Sequence, residues 1–534
     1  MGSILLKNGI IIDGSAKTRF KGDIAIKDEK IFAIGNIQDK KFNNIIFENI
    51  IDLEGKVVSP GFIDTHSHSD LKILSDPYLE PKIRQGITSE ILGQDGLSVA
   101  PLPFKYIDIW KDYLAGLDGV ADDKLDWQWK TSSGYLKRLE SQGIGPNIAY
   151  LLPHGNIRLE GMGLDNRKAD NYEMNKMKEI TRRALEAGVA GISSGLIFMP
   201  CAFAETEELI ELCKVVAEYD KIFVVHQRSE ADAIIESMKE IIKVAKESGV
   251  KIHFSHFKVC GKRNWNKINE IEELLNEAQS EGIKVSFDQY PYVSGSTMLG
   301  VILPPWAHEG GTEKLLFRLK DKEIRKKIIN DIKNGIPGWD NFIEFAGFDG
   351  IYITSLKTEK NKELIGKNLL EISKLKGKNP YNSTLDLLLE EENGVSMYDY
   401  YGKEEHIIRF MQRPEQNFCT DGLLQGKPHP RVYGAFPRVL GKYVREESAL
   451  SLEEAIYKMT FKAAKLFNLK DRGILKEGKK ADIVIFDANK IIDKSTFINP
   501  RRFPIGIEKV MINGEIILDT GNRTNKLSGD VLRI

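Results

Sequence analysis

One unit repeats between residues 172 and 290, and it decides what the chain can fold into. Residues 172–187 carry Met174, Met177, Ala184 and Leu185 near helical spacing, followed by Gly188 and the apolar run Val189 to Ile192. Residues 205–219 place Leu209, Cys213 and Val216 on one helical face and lead into the strand IFVVH at 222–226. Residues 232–248 form a third helix, stopped at Gly249 and followed by VKIHFSH at 250–256. Residues 266–281 form a fourth, stopped at Gly282 and followed by IKVSFDQY at 283–290. Helix, terminal glycine and buried strand recur about every 30 residues. Strands that are apolar on both faces and joined by helical crossovers require a parallel sheet. Several such units favour closure into a (β/α)₈ barrel, with a doubly wound sheet as the other solution.

The two ends read differently. Residues 3–13 and 23–34 are short strands with Asn-Gly or Asp-Glu-Lys turns, and 482–487 and 508–518 repeat the pattern around Asn513-Gly514. These segments predict a small β domain built from both termini, residues 1–58 with 470–534. The barrel then takes 59–469, as expected for a chain of 534 residues. Residues 299–405 break the rhythm with Pro304-Pro305, a Lys-rich helix near 312–334 and a strand at 350–355. They read as an insertion, centred on 299–350, plus the seventh barrel unit. Ser451 with Glu454 three residues on marks the start of a last helix.

Composition narrows the function. The net charge is −1, from 76 basic and 77 acidic residues, which gives no electrostatic case for nucleic acid or an anionic membrane. No run of about 18 apolar residues predicts a spanning helix. The four cysteines form no CxxC pair, so a reducing, cytoplasmic location is expected.

The chemistry gathers where strands end. His66 and His68 follow KVVSPGFID, and residues two apart on a strand point the same way. His226 closes IFVVH and His256 closes VKIHFSH, at the barrel face where active sites assemble. Alternation puts His253 on the opposite side, in a structural position, and His154 in LLPHGNIR falls outside the cluster. Asp95 in GQDG and Asp421 in NFCTDG add carboxylates, although either also reads as a turn residue before glycine. Imidazole and carboxylate together suit Zn²⁺ or a similar divalent ion. A hydrolytic metal site also needs a base for water, and Asp421 is the candidate for both roles.

With these residues in view, the chain resembles the amidohydrolase superfamily, and within it the D-aminoacylase (N-acyl-D-amino-acid deacylase) family. The resemblance covers nearly the whole sequence. It is carried by PGFIDTHSHSDL (60–71), SSGLIFMP (193–200), HQRSE (226–230), SHFKVCGKRNW (255–265), DQYPYVSGST (288–297), LPPWAHEGG (303–311), TDG (420–422), HPRVYGAFPRVLGKYVRE (429–446) and ADIVIFD (481–487). It implies a distorted TIM-like (β/α)₈ barrel with a small β domain from both termini. It implies one or two zinc ions on His66, His68, His226, His256 and Asp421. It also implies hydrolysis of a small N-acyl-D-amino acid whose carboxylate is gripped by Lys258, Tyr290, Ser296 and Arg431. Two departures stand out. Asp95 sits where the family often has a cysteine ligand, so a carboxylate takes the place of a thiolate. Phe198 sits where the family often has tyrosine. Two other readings stay open: a cyclic-amide hydrolase of the hydantoinase or dihydroorotase kind, and an inactive relative serving as a binding protein. Oligomeric state is not legible.

Overall fold

The computed structural model describes residues 3–42, 46–122 and 125–534. Eight strands form one parallel sheet: β1 (Phe62–Asp64), β2 (Ile87–Leu92), β3 (Asn147–Pro153), β4 (Gly191–Gly195), β5 (Ile222–His226), β6 (Lys251–Phe254), β7 (Val285–Gln289) and β8 (Gln416–Phe418). They lie side by side in chain order, β1 to β8, with in-register parallel pairs such as Val224 with His253. Just beyond the last residues of β8 and β1, a parallel bridge between Gly422 and Ser67 closes the ring. The fold is therefore a (β/α)₈ barrel.

Local sequence explains each unit. In the helix Ile234–Ser248, the buried Ile234, Met238, Ile241 and Ala245 recur at three- and four-residue steps and pack on the sheet. Gly249 ends that helix in the left-handed region, at φ 75°, with its N–H on the Ala245 carbonyl. Every residue of β5 is buried, as a strand covered on both faces must be.

A second sheet draws on both ends of the chain. Strands Ser3–Ile11, Phe20–Lys27, Lys30–Gly35, Asn49–Asp52 and Val57–Pro60 join Ile483–Phe486, Ile507–Ile512, Glu515–Asp519 and Asn522–Arg523. The seam is the antiparallel pairing of Val57–Pro60 with Ile483–Phe486. The Asn513-Gly514 turn forms as expected, with both residues at positive φ. Asn8-Gly9 does not turn the chain. Asn8 has φ 60° and sits in a bulge within one continuous strand, where the register to Phe20–Lys27 shifts.

The insertion also departs from expectation. The strand expected at 350–355 is Ile351–Leu356, and it belongs to a separate three-stranded antiparallel sheet with Val395–Tyr400 and Ser294–Met298. The seventh and eighth barrel strands are β7 and β8, on either side of the insertion. Ile351–Leu356 leaves Tyr352, Ser355 and Leu356 half-buried, whereas a barrel strand is covered on both faces. The Lys-rich stretch is two helices, Thr312–Lys320 and Lys322–Asn334, divided at Asp321, whose side chain accepts the N–H groups of Glu323 and Ile324.

Candidate metal centre at the barrel mouth

Barrel closure gives the site its first carboxylate–imidazole neighbours. The Asp421 N–H donates to the His66 carbonyl at 2.9 Å, so the segment after β8 runs beside the segment after β1. His66 and His68 point to the same side, Nε2 to Nε2 at 3.3 Å. Asp421 Oδ1 lies 3.3 Å from His68 Nε2 and 3.8 Å from His66 Nε2. Asp95, in the turn after β2, places Oδ2 3.4 Å from His66 Nε2 and 3.5 Å from both His68 Nε2 and His256 Nε2. His226 Nδ1 is 2.9 Å from His256 Nε2. Two donor groups result, His66–His68–Asp95–Asp421 and Asp95–His226–His256, and they share Asp95.

All six side chains are buried, and several of their atoms lack a hydrogen-bond partner: His66 Nδ1, His226 Nε2 and Asp95 Oδ1. Buried nitrogens and oxygens that face one another this closely, with atoms left unsatisfied, are the signature of a cation site. Four imidazoles and two carboxylates match the preferences of a divalent transition ion. Asp95, His256 and Asp421 also hold non-glycine backbones at φ 53°, 34° and 47°. That left-handed region is strained for such residues, and strain of this kind collects at functional sites.

The electrostatics are those of paired charge in a dry site. Burial opposes charge on His68, but the Asp421 and Asp95 carboxylates overcome it and push its pKa up to about 10. Burial alone dominates His226 and lowers it to about 4. Burial would raise the Asp421 carboxyl, yet Arg431 and the neighbouring histidines hold it well below the usual carboxylate range. Arg431 Nη1 is 2.9 Å from Asp421 Oδ2, which leaves Oδ1 for the histidine cluster.

Three of the four predicted substrate-binding residues line one cavity beside the cluster, and Arg431 lies buried behind it. Lys258, Tyr290 and Ser296 line it together with His68, Asp95, His226, His256 and Asp421. Lys258 Nζ donates to both Glu230 oxygens at 2.7 Å and lies 2.7 Å from His256 Nδ1. The Tyr401 hydroxyl donates to Tyr290 Oη at 2.8 Å, which leaves the Tyr290 proton for another acceptor. The Ser296 hydroxyl donates to the Met397 carbonyl at 2.7 Å. Arg431 is fully buried under Tyr290, 4.4 Å from its ring, and is already engaged by Asp421. Phe198 packs edge-on against His226 and lines the cavity.

His253 and His154 stand apart. His253 bonds Ser286 and Asp288 at 2.8 and 2.9 Å, and His154 bonds Ser194 and Glu208 at 2.9 and 2.8 Å. Sequence reasoning missed Glu230, whose carboxylate holds Lys258 and lies 3.3 Å from His256 Nδ1. Its signal was present: an acid four residues after a strand-end histidine. Lys82 carried no such signal. It is fully buried behind the cluster and donates to Asp64 Oδ2, Ser67 Oγ and Thr420 Oγ1 at 2.7–2.8 Å.

Comparisons with known proteins agree with this geometry. The amidohydrolase family model matches residues 49–319 and 420–518. D-aminoacylase of Alcaligenes xylosoxydans xylosoxydans is 31% identical over 530 residues, covering 99% of this chain and 97% of that protein. N-acyl-D-glutamate deacylase of the same organism is 32% identical over 516 residues, covering 96% and 92%. The crystal structure of N-acyl-D-glutamate deacylase from Bordetella bronchiseptica, complexed with zinc and a phosphonate inhibitor that mimics the tetrahedral intermediate, superposes with a TM-score of 0.84. It is 29% identical, and the match covers 100% of both chains.

Proposed function

Because the chain belongs to the amidohydrolase family, we propose that it hydrolyses the amide bond of N-acyl-D-amino acids, with zinc, to a carboxylic acid and a free D-amino acid. The observation that carries this reading is a pair of donor groups sharing Asp95, with Asp421 Oδ1 turned into them and Lys258 on the adjoining cavity. The relatives supply the D configuration.

His66, His68, Asp95 and Asp421 would hold one ion, and Asp95, His226 and His256 a second. Bound there, zinc supplies Lewis acidity to water and to the amide carbonyl. Asp421 Oδ1 takes the proton from the attacking water as its oxygen bonds the carbonyl carbon. It returns that proton to the amide nitrogen as the C–N bond breaks. Arg431 keeps Asp421 charged and aimed between turnovers. Lys258 and the Tyr290 hydroxyl receive the substrate carboxylate, with Ser296 beside them. Arg431 acts through Asp421 in this reading. Glu230 fixes Lys258 and His256 in place.

We assign residues 1–58 with 470–534 to the β domain and 59–469 to the barrel. We place the protein in the cytoplasm, where its four unpaired, buried cysteines stay reduced. The reading is tested by assaying N-acetyl-D-amino acids against hydantoins of matching side chain. Turnover of the linear amides alone is expected, and hydantoin opening as the faster reaction would replace this reading with the cyclic-amide one.

A further inference from the structure

Overall identity does not choose the substrate side chain, since the chain is equally similar to D-aminoacylase and to N-acyl-D-glutamate deacylase. The charges around the cavity do. Among the described residues that line it, Lys258 is the one lysine or arginine, set against the carboxylates of Asp95, Glu230, Asp340, Asp399 and Asp421. Both Glu230 oxygens already hold Lys258, and Arg431, which pairs with Asp421, does not line the cavity.

Asp399 stands on the strand Val395–Tyr400, opposite Gly295 in register and next to the Ser296–Tyr398 pair. Its Oδ1 and the Tyr290 hydroxyl both flank Gly295, 3.5 and 3.2 Å from where a Cβ there would sit, so Asp399 is beside the seat of the substrate carboxylate. It is 3% exposed, and its Oδ2 has no hydrogen-bond partner. Asp340, contributed by the insertion, is satisfied by the Ser229 hydroxyl at 2.5 Å and the Glu230 N–H at 2.7 Å. Of these two acids, Asp399 is the one with a free oxygen. Cys260, Phe342 and Phe345 line the same cavity.

We propose that Asp399 is a specificity-determining residue that excludes acidic side chains, so that the substrates are N-acyl-D-amino acids with uncharged side chains. This rests on the deacylase reading above. The carboxylate and the side chain of the substrate hang on one carbon. A carboxylate seated at Lys258 and Tyr290 thus sends the side chain along the wall that carries Asp399. A second carboxylate there meets Asp399 in a buried site whose one lining cation is already held by Glu230, and like charges in such a site oppose one another. An amide of the same shape instead donates an N–H to Asp399 Oδ2, which otherwise goes unsatisfied. Burial pushes the Asp399 carboxyl up to about 7, so it carries the excluding charge only above that pH.

The test compares N-acetyl-D-glutamine with N-acetyl-D-glutamate on the metal-replete full chain at pH 8. The glutamine substrate is expected to lead in kcat/KM by about a hundredfold. Asp399→Asn, checked for folding by circular dichroism, is expected to shrink that ratio at least about tenfold, mainly through KM of the glutamate substrate. Asp399→Ser serves as the second variant and is expected to act in the same direction. Equal or better wild-type turnover of the glutamate substrate overturns the proposal and leaves the deacylase reading standing. An unchanged ratio in a folded variant removes Asp399 from the role. Failure to hydrolyse any N-acetyl-D-amino acid overturns the deacylase reading, and this proposal with it.

Discussion

Asp421 meets the histidine cluster through Oδ1 and binds Arg431 through Oδ2, and the proposed function makes it the base for water as well. Its φ of 47° turns the carboxylate back toward β1, a conformation that glycine would adopt more easily but without the acid. Replacing Asp421 by Asn keeps the shape and removes the proton acceptor. Turnover should fall by about 10² to 10⁴, the usual worth of general base catalysis, while metal content measured by plasma mass spectrometry falls far less. Near wild-type turnover in a metal-replete Asn variant would take the role from Asp421. Of the six cluster residues, the four histidines were legible because strand ends and i, i+2 spacing are local facts. Asp95 and Asp421 were harder to separate from turn residues. Their left-handed backbones look like ordinary Asp-Gly turns until the fold closes around them.

At the scale of elements, the helix–glycine–strand units were legible because each is specified within about 30 residues. The antiparallel sheet in the insertion was not, because apolar content identifies a strand but not its partner. Asn8-Gly9 fails for a related reason: the dipeptide permits positive φ, and a bulge uses that freedom as readily as a hairpin. The buried His154 network, at the junction of β3 with the helix His154–Met162, gives a pH test. Burial disfavours its charge, but the neighbouring Cys201 and Glu208 outweigh that and push His154 from 6.5 up to about 9. A raised folded pKa stabilises fully below pH 6.5, and the contribution is lost as pH rises through about 9. The change is on the order of 3 kcal/mol. Urea midpoints of the wild type should therefore fall between pH 7 and pH 10, and His154→Gln should flatten that fall. An equally steep decline in the variant would assign the dependence elsewhere.

The whole molecule depends on joining distant segments. The seam between Val57–Pro60 and Ile483–Phe486 unites the two ends in one sheet, and the ring closes where Gly422 meets Ser67. Lys82 fastens that closure from behind, linking Asp64 at the end of β1, Glu90 within β2 and Thr420 after β8. Burial opposes its charge, but Asp64 and Glu90 hold it protonated. Lys82→Met leaves two buried carboxylates without their cation. Stability should drop by about 3–5 kcal/mol, and metal retention should weaken as the segments bearing His66 and Asp421 lose their common anchor. A variant with unchanged unfolding midpoint and metal content would show that closure needs no such tie. Nothing in a sequence window around Lys82 distinguishes it from a surface lysine, because its partners Asp64, Ser67, Glu90 and Thr420 lie on three separate segments of the chain.

The proposed function has the barrel mouth use a divalent ion and Asp421 to cleave N-acyl-D-amino acids. It is tested most directly by giving the metal-analysed protein a racemic N-acetyl amino acid and measuring the chirality of the amino acid released, before and after chelation. Release of the D enantiomer alone, abolished by the chelator and restored by zinc, is the predicted result. Release of the L enantiomer, or undiminished release from protein shown to be free of metal, would contradict it.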